Sequence, residues 1–477
     1  MRVAGVLLIL SALALGIYGI DRSLWTDEAW VANSVMSSSL SGMFYYPSWL
    51  QTTPPLFLLL TRGVVDIFGP SGVAFRIVPL ALELAAVACM AVASSRLMSF
   101  PFAFVATALM AFHPTAIEYS RTCKQYSGEM AASTAILLCT ALYLRDPVRR
   151  RFWWLVGAFI VALPLAWSSV FLLPGVAIAV FARGGFRRAG SLVLISGGVL
   201  TVLYLVLIRQ NLSPDLRAFW IESAQRLSPG LLAVVILCLI AGVRFLWTRE
   251  WMQFVALLPC LLLAAADALH WYPVSQRTRL FVVPCFLLIA AMTAQDLFDW
   301  LTRRRLTPRL VASVAWLIVI AIGANAAWKQ VRNHENQPIE DFADAIPYLR
   351  QHVAPSDLLL VHASVIEGFR LYNEMEGWHE RAIYGETGWP CCRRGSATTQ
   401  GASSEKAVGE DLRRMIPAGF SGRIWLFYSG RQTHWTWAGL DEGRLWRSLL
   451  SNRGCTPGDH RDLINLTITE MHCFMTR

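Results

Sequence analysis

Between residue 3 and about residue 328 the chain keeps returning to unbroken apolar stretches long enough to cross a bilayer, and beyond that point it does not do so again. A hydrocarbon core of roughly 30 Å takes about 20 apolar residues as a helix. Lipid offers no hydrogen-bond partner, so each stretch must satisfy its own backbone, and that leaves the helix. With 55% of its 477 residues hydrophobic and only 16% charged, and a mean hydropathy of +0.46, the chain lies outside the range of soluble globules. The pattern predicts a polytopic α-helical membrane protein of about eleven spans: 3–20, 75–95, 100–118, 127–144, 152–167, 168–183, 189–208, 228–247, 251–270, 278–299 and 310–328.

The net charge of +10 does not mark a nucleic-acid binder. From Lys329 onward 17 Lys+Arg face 18 Asp+Glu, leaving 25 against 14 for the membrane part. The excess therefore lies where topogenic loop charge belongs. The densest clusters, "RDPVRRR" (145–151), "RGGFRR" (183–188) and "RRRLTPR" (303–309), read as cytoplasmic loops. The first segment resembles a signal peptide but has no convincing small-x-small cleavage site, so a retained first helix is expected. The start is then cytoplasmic and residues 329–477 lie outside, on the periplasmic or extracytoplasmic face of the cytoplasmic membrane. This count requires "PPLFLLLTRGVVDIFG" (54–69), interrupted by Arg62 and Asp66, to be an interfacial or re-entrant helix within a long outer loop, 21–74.

Residues 329–477 change character. "DLLLVHA" (357–363) and "RIWLFYSG" (423–430) read as buried strands, each followed by a helical stretch. A small C-terminal α/β domain follows, separate from the membrane domain 1–328. "CCRRGSATTQGASSEK" (391–406) reads as a polar loop. Cys391, Cys392, Cys455 and Cys473 could pair in an oxidising compartment, Cys455 with Cys473 being one of several connectivities. No cysteine has zinc-ligand spacing with histidine, and no metal ligand is assigned.

The chemistry concentrates in the outer loops. "SLWTDEAW" (23–30) places Asp27 and Glu28 between Trp25 and Trp30 as the chain leaves the first span. Thr26 and Asp27 suit a helix N-cap, and carboxylates at a helix start are favoured by its dipole, so a purely structural role competes with a functional one. The tryptophans likewise suit an interfacial belt. Pro54 and Pro55 open the interfacial helix, Arg76 lies at the outer end of the next span, and "HPTAIEYSRTCKQYSGEM" (113–130) gathers Glu118, Tyr119, Arg121, Lys124, Tyr126 and Glu129. Cations and aromatic rings thus face the compartment of the carboxylates.

Taken in order, the D-E pair after the first helix, P-P-L, "FGPSGVAFRIVP" (68–79), "HPTAIEYS" (113–120) and the late "RLFVVP" (279–284) resemble the GT-C membrane glycosyltransferases. Within that superfamily the nearest branch holds the protein O-mannosyltransferases and the lipid A aminoarabinose transferases. The resemblance is good over about 1–150 and loose over 270–300. It implies a GT-C fold, a polyprenyl-phosphate sugar donor, a lipid, protein or polysaccharide acceptor, and inversion at the sugar carbon. It also implies that Asp27, with Glu28 beside it, is the catalytic base or positioning acid. An acceptor hydroxyl needs a carboxylate to take its proton while cations neutralise the departing phosphate. Lys124 and Arg279 are the expected phosphate ligands, with Arg121, Arg76 and Arg277 as neighbours and Tyr126, Glu118, Glu129, Trp25, Trp30, Pro54 and Pro55 around the pocket.

Two departures from the pattern bear on the donor site. The short loop reads "RTCKQY" (121–126), which keeps a cation but lacks the acid of relatives with "QEARxY", and Thr53 precedes the proline pair where relatives have His or Lys. Some relatives hold a divalent cation between acids of two loops; such an ion stays open here, but few acids are on offer. Glu83 and Asp267 stand within spans, where burial of an ionisable group is costly; Glu83, about two turns below Arg76, is expected to pair within the bundle, and Asp267, four residues before the interfacial "WYP", to reach the surface. A transporter or lipid flippase is the alternative reading, but neither an internal repeat nor mid-span Gly/Pro breaks in matching halves support it.

Overall fold

The computed structural model describes residues 2–45, 53–209, 239, 242–245, 250–269, 272, 275, 277–302, 308–332, 339–378, 382–384, 405–429 and 442–474. The helices of the first part are α1 (Arg2–Ile17), α2 (Thr26–Val35), α3 (Leu40–Phe44), α4 (Pro55–Phe68), α5 (Gly72–Leu97), α6 (Phe100–Ala111), α7 (Pro114–Ser120), α8 (Tyr126–Arg145), α9 (Arg149–Leu165), α10 (Leu173–Leu203), α11 (Trp251–Ala268), α12 (Val283–Thr302) and α13 (Pro308–Arg332). Among the described residues five helical stretches are long and apolar enough to cross a membrane, or six if the bent pair α6–α7 is one span. Most of the expected span 228–247 with Cys238, and residues 391–404 of the expected loop with Cys391 and Cys392, lie outside the described residues, whereas 405 and 406 of that loop begin a helix.

Small side chains let the central pair, α5 and α8, approach closely, as is common between membrane helices. Ala86, Ala91 and Ser94 on α5 and Ala131, Ala132 and Ser133 on α8 are all buried. Large apolar side chains on the bundle periphery, Val6 and Leu10 on α1, Phe181 and Leu194 on α10 and Leu317 on α13, are exposed, the surface a bilayer covers. Two punctuation signals act locally. Gly185, at φ +77°, breaks α10 between the two spans expected at 168–183 and 189–208. The stretch expected as one span at 100–118 bends by 53° between α6 and α7. Pro114 explains the bend, because it drives His113 out of the helical region (φ −67°, ψ 122°).

Two of the basic loops, 145–151 and 183–188, meet at one end of the bundle: Arg188 donates to the Pro147 carbonyl at 2.6 Å and to the Tyr143 hydroxyl at 3.3 Å. At the other end α4 lies beside α2. Its 14 residues are amphipathic, and Arg62 both pairs with Asp66 at 2.6 Å and donates to the carbonyls of Val35 and Ser37 at 2.8 and 2.6 Å.

The C-terminal part is a mixed five-stranded sheet of order β2-β1-β3-β5-β4, formed by β1 (Leu358–Val361), β2 (Ile383–Tyr384), β3 (Gly422–Ser429), β4 (Cys455–Leu463) and β5 (Leu466–Cys473). Helices α14 (Phe342–His352), α15 (Ile366–Met375), α16 (Glu405–Met415) and α17 (Glu442–Ser451) accompany it. β1 runs parallel to β2 and β3, whereas β3 and β5 are antiparallel. Central β3 is buried over its last six residues, as its continuous apolar run requires. Exposed β4 accommodates Pro457 because it is an edge strand, and its register shifts between Pro457 and His460. Cys455 and Cys473, paired across the β4–β5 ladder, form a disulfide.

The sheet does not hang free. One apolar cluster contains Leu24, Val31, Val35, Phe57 and Phe75 from the first part together with Phe342, Ile346, Leu359, Val361 and Phe369 from the second. Polar contacts reinforce this seam: the Leu24 N–H donates to the Tyr372 hydroxyl at 2.7 Å, and Asn33 Nδ2 to Glu367 Oε2 at 2.8 Å.

Glu83 does not pair with Arg76. It is 2% exposed, and neither carboxyl oxygen has a hydrogen-bond partner among the described residues. A buried polar group left unpaired costs about 1–3 kcal/mol, so Glu83→Met is expected to raise stability by about that amount in thermal unfolding of the purified protein. A drop would assign the carboxyl a stabilising role.

Candidate functional site

The site begins where α1 ends. Gly19, at φ +72°, turns the chain out of the helix, and Trp25 in extended conformation precedes the first residue of α2. Thr26 is therefore the first helical residue rather than the cap, and Trp25 makes no side-chain cap bond. The cap comes from the other part of the protein. Glu340 Oε2 accepts the Thr26 N–H at 2.7 Å and the Thr26 hydroxyl at 2.6 Å, placing a carboxylate at the positive end of α2.

This start sends the two adjacent acids to opposite fates. Glu28 is fully buried and forms a two-point pair with Arg76, Nε to Oε1 at 2.8 Å and Nη2 to Oε2 at 2.6 Å. Its Oε1 also accepts the Cys123 N–H at 2.7 Å. Arg76 spends its remaining donors on the carbonyls of Ile20, Arg22 and Ser23 at 2.8, 2.5 and 3.2 Å. Neither group faces the open site. Burial, with the Glu28 carboxylate beside it, pushes the Cys123 thiol far up, so it stays a protonated, non-nucleophilic group.

Asp27 points the other way and meets two cations from distant segments. Lys124 Nζ is 3.1 Å from Oδ1, and Arg277 Nη1 is 3.0 Å from Oδ2. Burial disfavours the Asp27 carboxylate, but Lys124 and Arg277 together outweigh burial and hold its carboxyl below the ordinary range. Lys124 stands 5.5 Å from the Trp30 ring centre and Arg277 5.9 Å from that of Tyr126. Tyr119, hydrogen-bonded to Arg277, packs edge-on against Tyr126 at 4.8 Å.

The remaining candidates separate from this cluster in different ways. Glu118 lies between Arg22 (2.5 Å) and Arg121 (3.1 Å), and Arg121 also donates to the Tyr18 carbonyl at 2.8 Å, so this set ties α7 to the end of α1. Glu129 is buried in α8 one turn on from Tyr126. Pro54 and Pro55 are the N-cap and first residue of α4, where a missing N–H costs nothing. Arg279 is exposed at the turn before α12 and forms no ion pair among the described residues. Arg277, two positions earlier, is the arginine that reaches Asp27. Trp25 and Trp30 line an opening together with Thr26, Asp27, Glu340, Ser364 and Ser429. The last three lie more than 300 residues from Asp27, and nothing in their local sequence singles them out.

A divalent cation does not fit these donors. Asp27 is bracketed by two cations, Glu28 is consumed by Arg76, and among the described residues no three His, Cys, Asp or Glu side chains group as metal ligands.

No family model matches the chain, and no curated protein matches it by sequence. Solved structures do match it by shape. ArnT from Cupriavidus metallidurans in the apo state aligns over 98% of this chain and 97% of its own, at 14% identity and a TM-score of 0.58. The same protein bound to undecaprenyl phosphate aligns with TM-score 0.57 at 14% identity over the same shares, 98% and 97%. The archaeal oligosaccharyltransferase AglB from Archaeoglobus fulgidus, in complex with an inhibitory peptide and a dolichol-phosphate, aligns over 98% of this chain and 74% of its own, at 12% identity and TM-score 0.54. Likeness at this level of identity speaks to architecture: the chain is a multi-pass membrane protein that shares the fold of ArnT and AglB.

Proposed function

We propose that the protein is a glycosyltransferase that takes a sugar from a polyprenyl-phosphate donor and passes it to an acceptor hydroxyl at the extracytoplasmic face of the cytoplasmic membrane. The observation that carries this reading is the meeting of Asp27, Lys124 and Arg277, from three segments far apart in sequence, at the end of the bundle opposite the basic loops. Cations suit the lipid phosphate, and a carboxylate beside them suits the proton taken from the attacking hydroxyl. The solved neighbours bound to undecaprenyl phosphate and to a dolichol-phosphate support the donor class. The Cys455–Cys473 disulfide favours an oxidising compartment for the sheet, and the seam to α2 puts Asp27 on the same side. Polar groups gathered at one end, rather than at midplane, favour a transferase over a carrier.

In this reading Asp27 is the base or positioning acid, Lys124 and Arg277 hold the phosphate, the exposed Arg279 is a further phosphate ligand, and Glu28 with Arg76 positions rather than reacts. A displacement by the acceptor oxygen from the face opposite the phosphate gives inversion. Eleven spans with a cytoplasmic start complete the proposed topology.

Binding of undecaprenyl phosphate to the full chain in nanodiscs tests the donor site. A charge-assisted hydrogen bond contributes about 1.5–3 kcal/mol, so Lys124→Ala and Arg277→Ala are each expected to weaken binding by about tenfold or more. Arg279→Ala is expected to do the same. An affinity unchanged in all three variants would remove the phosphate from this site.

A further inference from the structure

At the end of the bundle opposite Asp27, two basic loops are built into one surface. Residues 145–151 and 183–188 carry seven arginines and a single acid, Asp146. Some of these arginines are spent on the fold. Arg188 reaches from the second loop to the Pro147 carbonyl of the first at 2.6 Å, and Arg151 holds the Leu142 carbonyl at 2.9 Å and Asp146 at 3.2 Å. Gly184 packs against Tyr143 where a Cβ would have no room, and Gly185, at φ +77°, breaks the helix between that contact and Arg188.

Four further arginines are left over. Arg145, Arg149, Arg183 and Arg187 are exposed and form no ion pair among the described residues, and Asp146 is already held by Arg151. Arg149 and Arg187 flank the contact between the loops, two positions after Pro147 and one before Arg188. Topogenic charge needs only to lie near a span. Here guanidiniums from two loops are held at one place. The surface also runs on into the lipid-facing side of the bundle: Arg150 lies 4.6 Å from the Trp154 ring centre, and Trp153, Trp154 and Phe186 are exposed. Such rings settle at headgroup level. A partner at this boundary meets guanidiniums for its phosphates and apolar rings for its first chain carbons, whereas a soluble acidic protein would leave the rings uncovered.

We infer that the joined loops 145–151 and 183–188 bind the headgroup of cardiolipin, an anionic phospholipid with two phosphodiesters. A guanidinium can take two oxygens of one phosphate, and Arg149 and Arg187 offer one fork to each phosphate of a lipid whose two groups are linked by a single glycerol. Arg145 and Arg183 add charge beside them. The acyl chains then follow the exposed apolar side chains of α9 and α10, Ile160 and Val161 on one and Ile178 and Phe181 on the other. The lipid bridges two turns at the end away from Asp27, so this site stands whether or not the protein transfers a sugar.

Native mass spectrometry of the full chain in detergent, titrated with cardiolipin, phosphatidylglycerol or phosphatidylcholine, reads the site directly. Cardiolipin is expected to bind about tenfold or more tighter than phosphatidylcholine and severalfold tighter than phosphatidylglycerol, and to raise the unfolding temperature. Arg149→Gln and Arg187→Gln are each expected to weaken cardiolipin binding about fivefold or more. Arg96→Gln removes the same charge from an exposed position at the end of α5, outside both loops, and is expected to change it by less than about twofold. Arg187→Lys keeps the charge but loses the fork; its expected affinity falls between Arg187→Gln and wild type, and it carries the test if a glutamine variant fails to fold. A loss in Arg96→Gln as large as in the loop variants would reduce the arginines to topogenic charge and overturn the site. Equal affinity for the three lipids overturns it too, as does Arg187→Lys binding like wild type or a polyglutamate peptide binding more tightly than cardiolipin.

Discussion

Asp27→Asn is expected to lower sugar transfer by about a thousandfold or more while tightening undecaprenyl phosphate binding severalfold, since general base catalysis contributes about 10²–10⁴ in rate and the same carboxylate competes for the phosphate's cations. The two effects have opposite signs for one reason. In the structure Asp27 occupies both Lys124 and Arg277, at 3.1 and 3.0 Å. A phosphate arriving at those cations must share or displace them. Asparagine leaves both cations free, so the phosphate gains; it cannot accept a proton, so transfer is lost.

The lowered Asp27 pKa sharpens this expectation. A carboxyl held below 3.8 by two cations is a weak base, and one whose cations turn to a phosphate recovers basicity. Donor binding would therefore prepare the acid for its task. The sign of the pH effect follows. A depressed carboxyl pKa contributes stability that is fully present above the unfolded value near 3.8 and is lost as pH falls through the lower folded value. Between about pH 5 and 8 Asp27 stays ionised in the empty site, so it should produce no acid limb in phosphate binding over that range. Transfer by Asp27→Asn at a rate near wild type would remove the carboxylate from the mechanism, and weaker phosphate binding would make Asp27 an organiser of the cations instead.

Much of this site could be read before the fold was known. That Asp27 follows the first apolar stretch and that Lys124 stands at the same end of the bundle follows from counting apolar stretches, because bilayer thickness sets one ruler for both. What failed were distinctions finer than that ruler. Arg277 and Arg279 differ by two positions in a turn, and only the local backbone decides which one meets Asp27 and which stays exposed. Glu28 and Asp27 are adjacent, yet the rotation of about 100° per residue in a helix sends one into Arg76 and the other into the site. Pro114 signals the bend at His113, but the apolar run across 100–118 masks it. Thr26 and Asp27 suit a cap on α2, whereas Glu340 supplies it from 314 positions away. No local pattern carries a contact of that kind; it exists because Leu24 and Phe57 share a core with Phe342 and Phe369.

Beside that core Arg76 and Glu28 form a fully buried ion pair, and breaking it should have the largest effect on stability. Glu28→Gln or Arg76→Ala leaves a charge buried without its counter-charge, and such losses cost about 3–5 kcal/mol. Each single variant is expected to lose most of its folded yield or to unfold at markedly lower temperature in detergent. The double variant Glu28→Leu with Arg76→Met removes both charges and should be more stable than either single, because the stranded charge rather than the missing attraction dominates the loss. Activity should not return with stability. Glu28 Oε1 holds the Cys123 N–H at 2.7 Å, one residue before Lys124, so the same carboxylate that anchors Arg76 sets where the lysine stands. Leucine at that position frees the 121–125 turn, and donor KM should rise even in the refolded double variant. Additive losses in the two singles would show that the pair acts as two independent contacts, and full activity in the double variant would free the Lys124 position from Glu28.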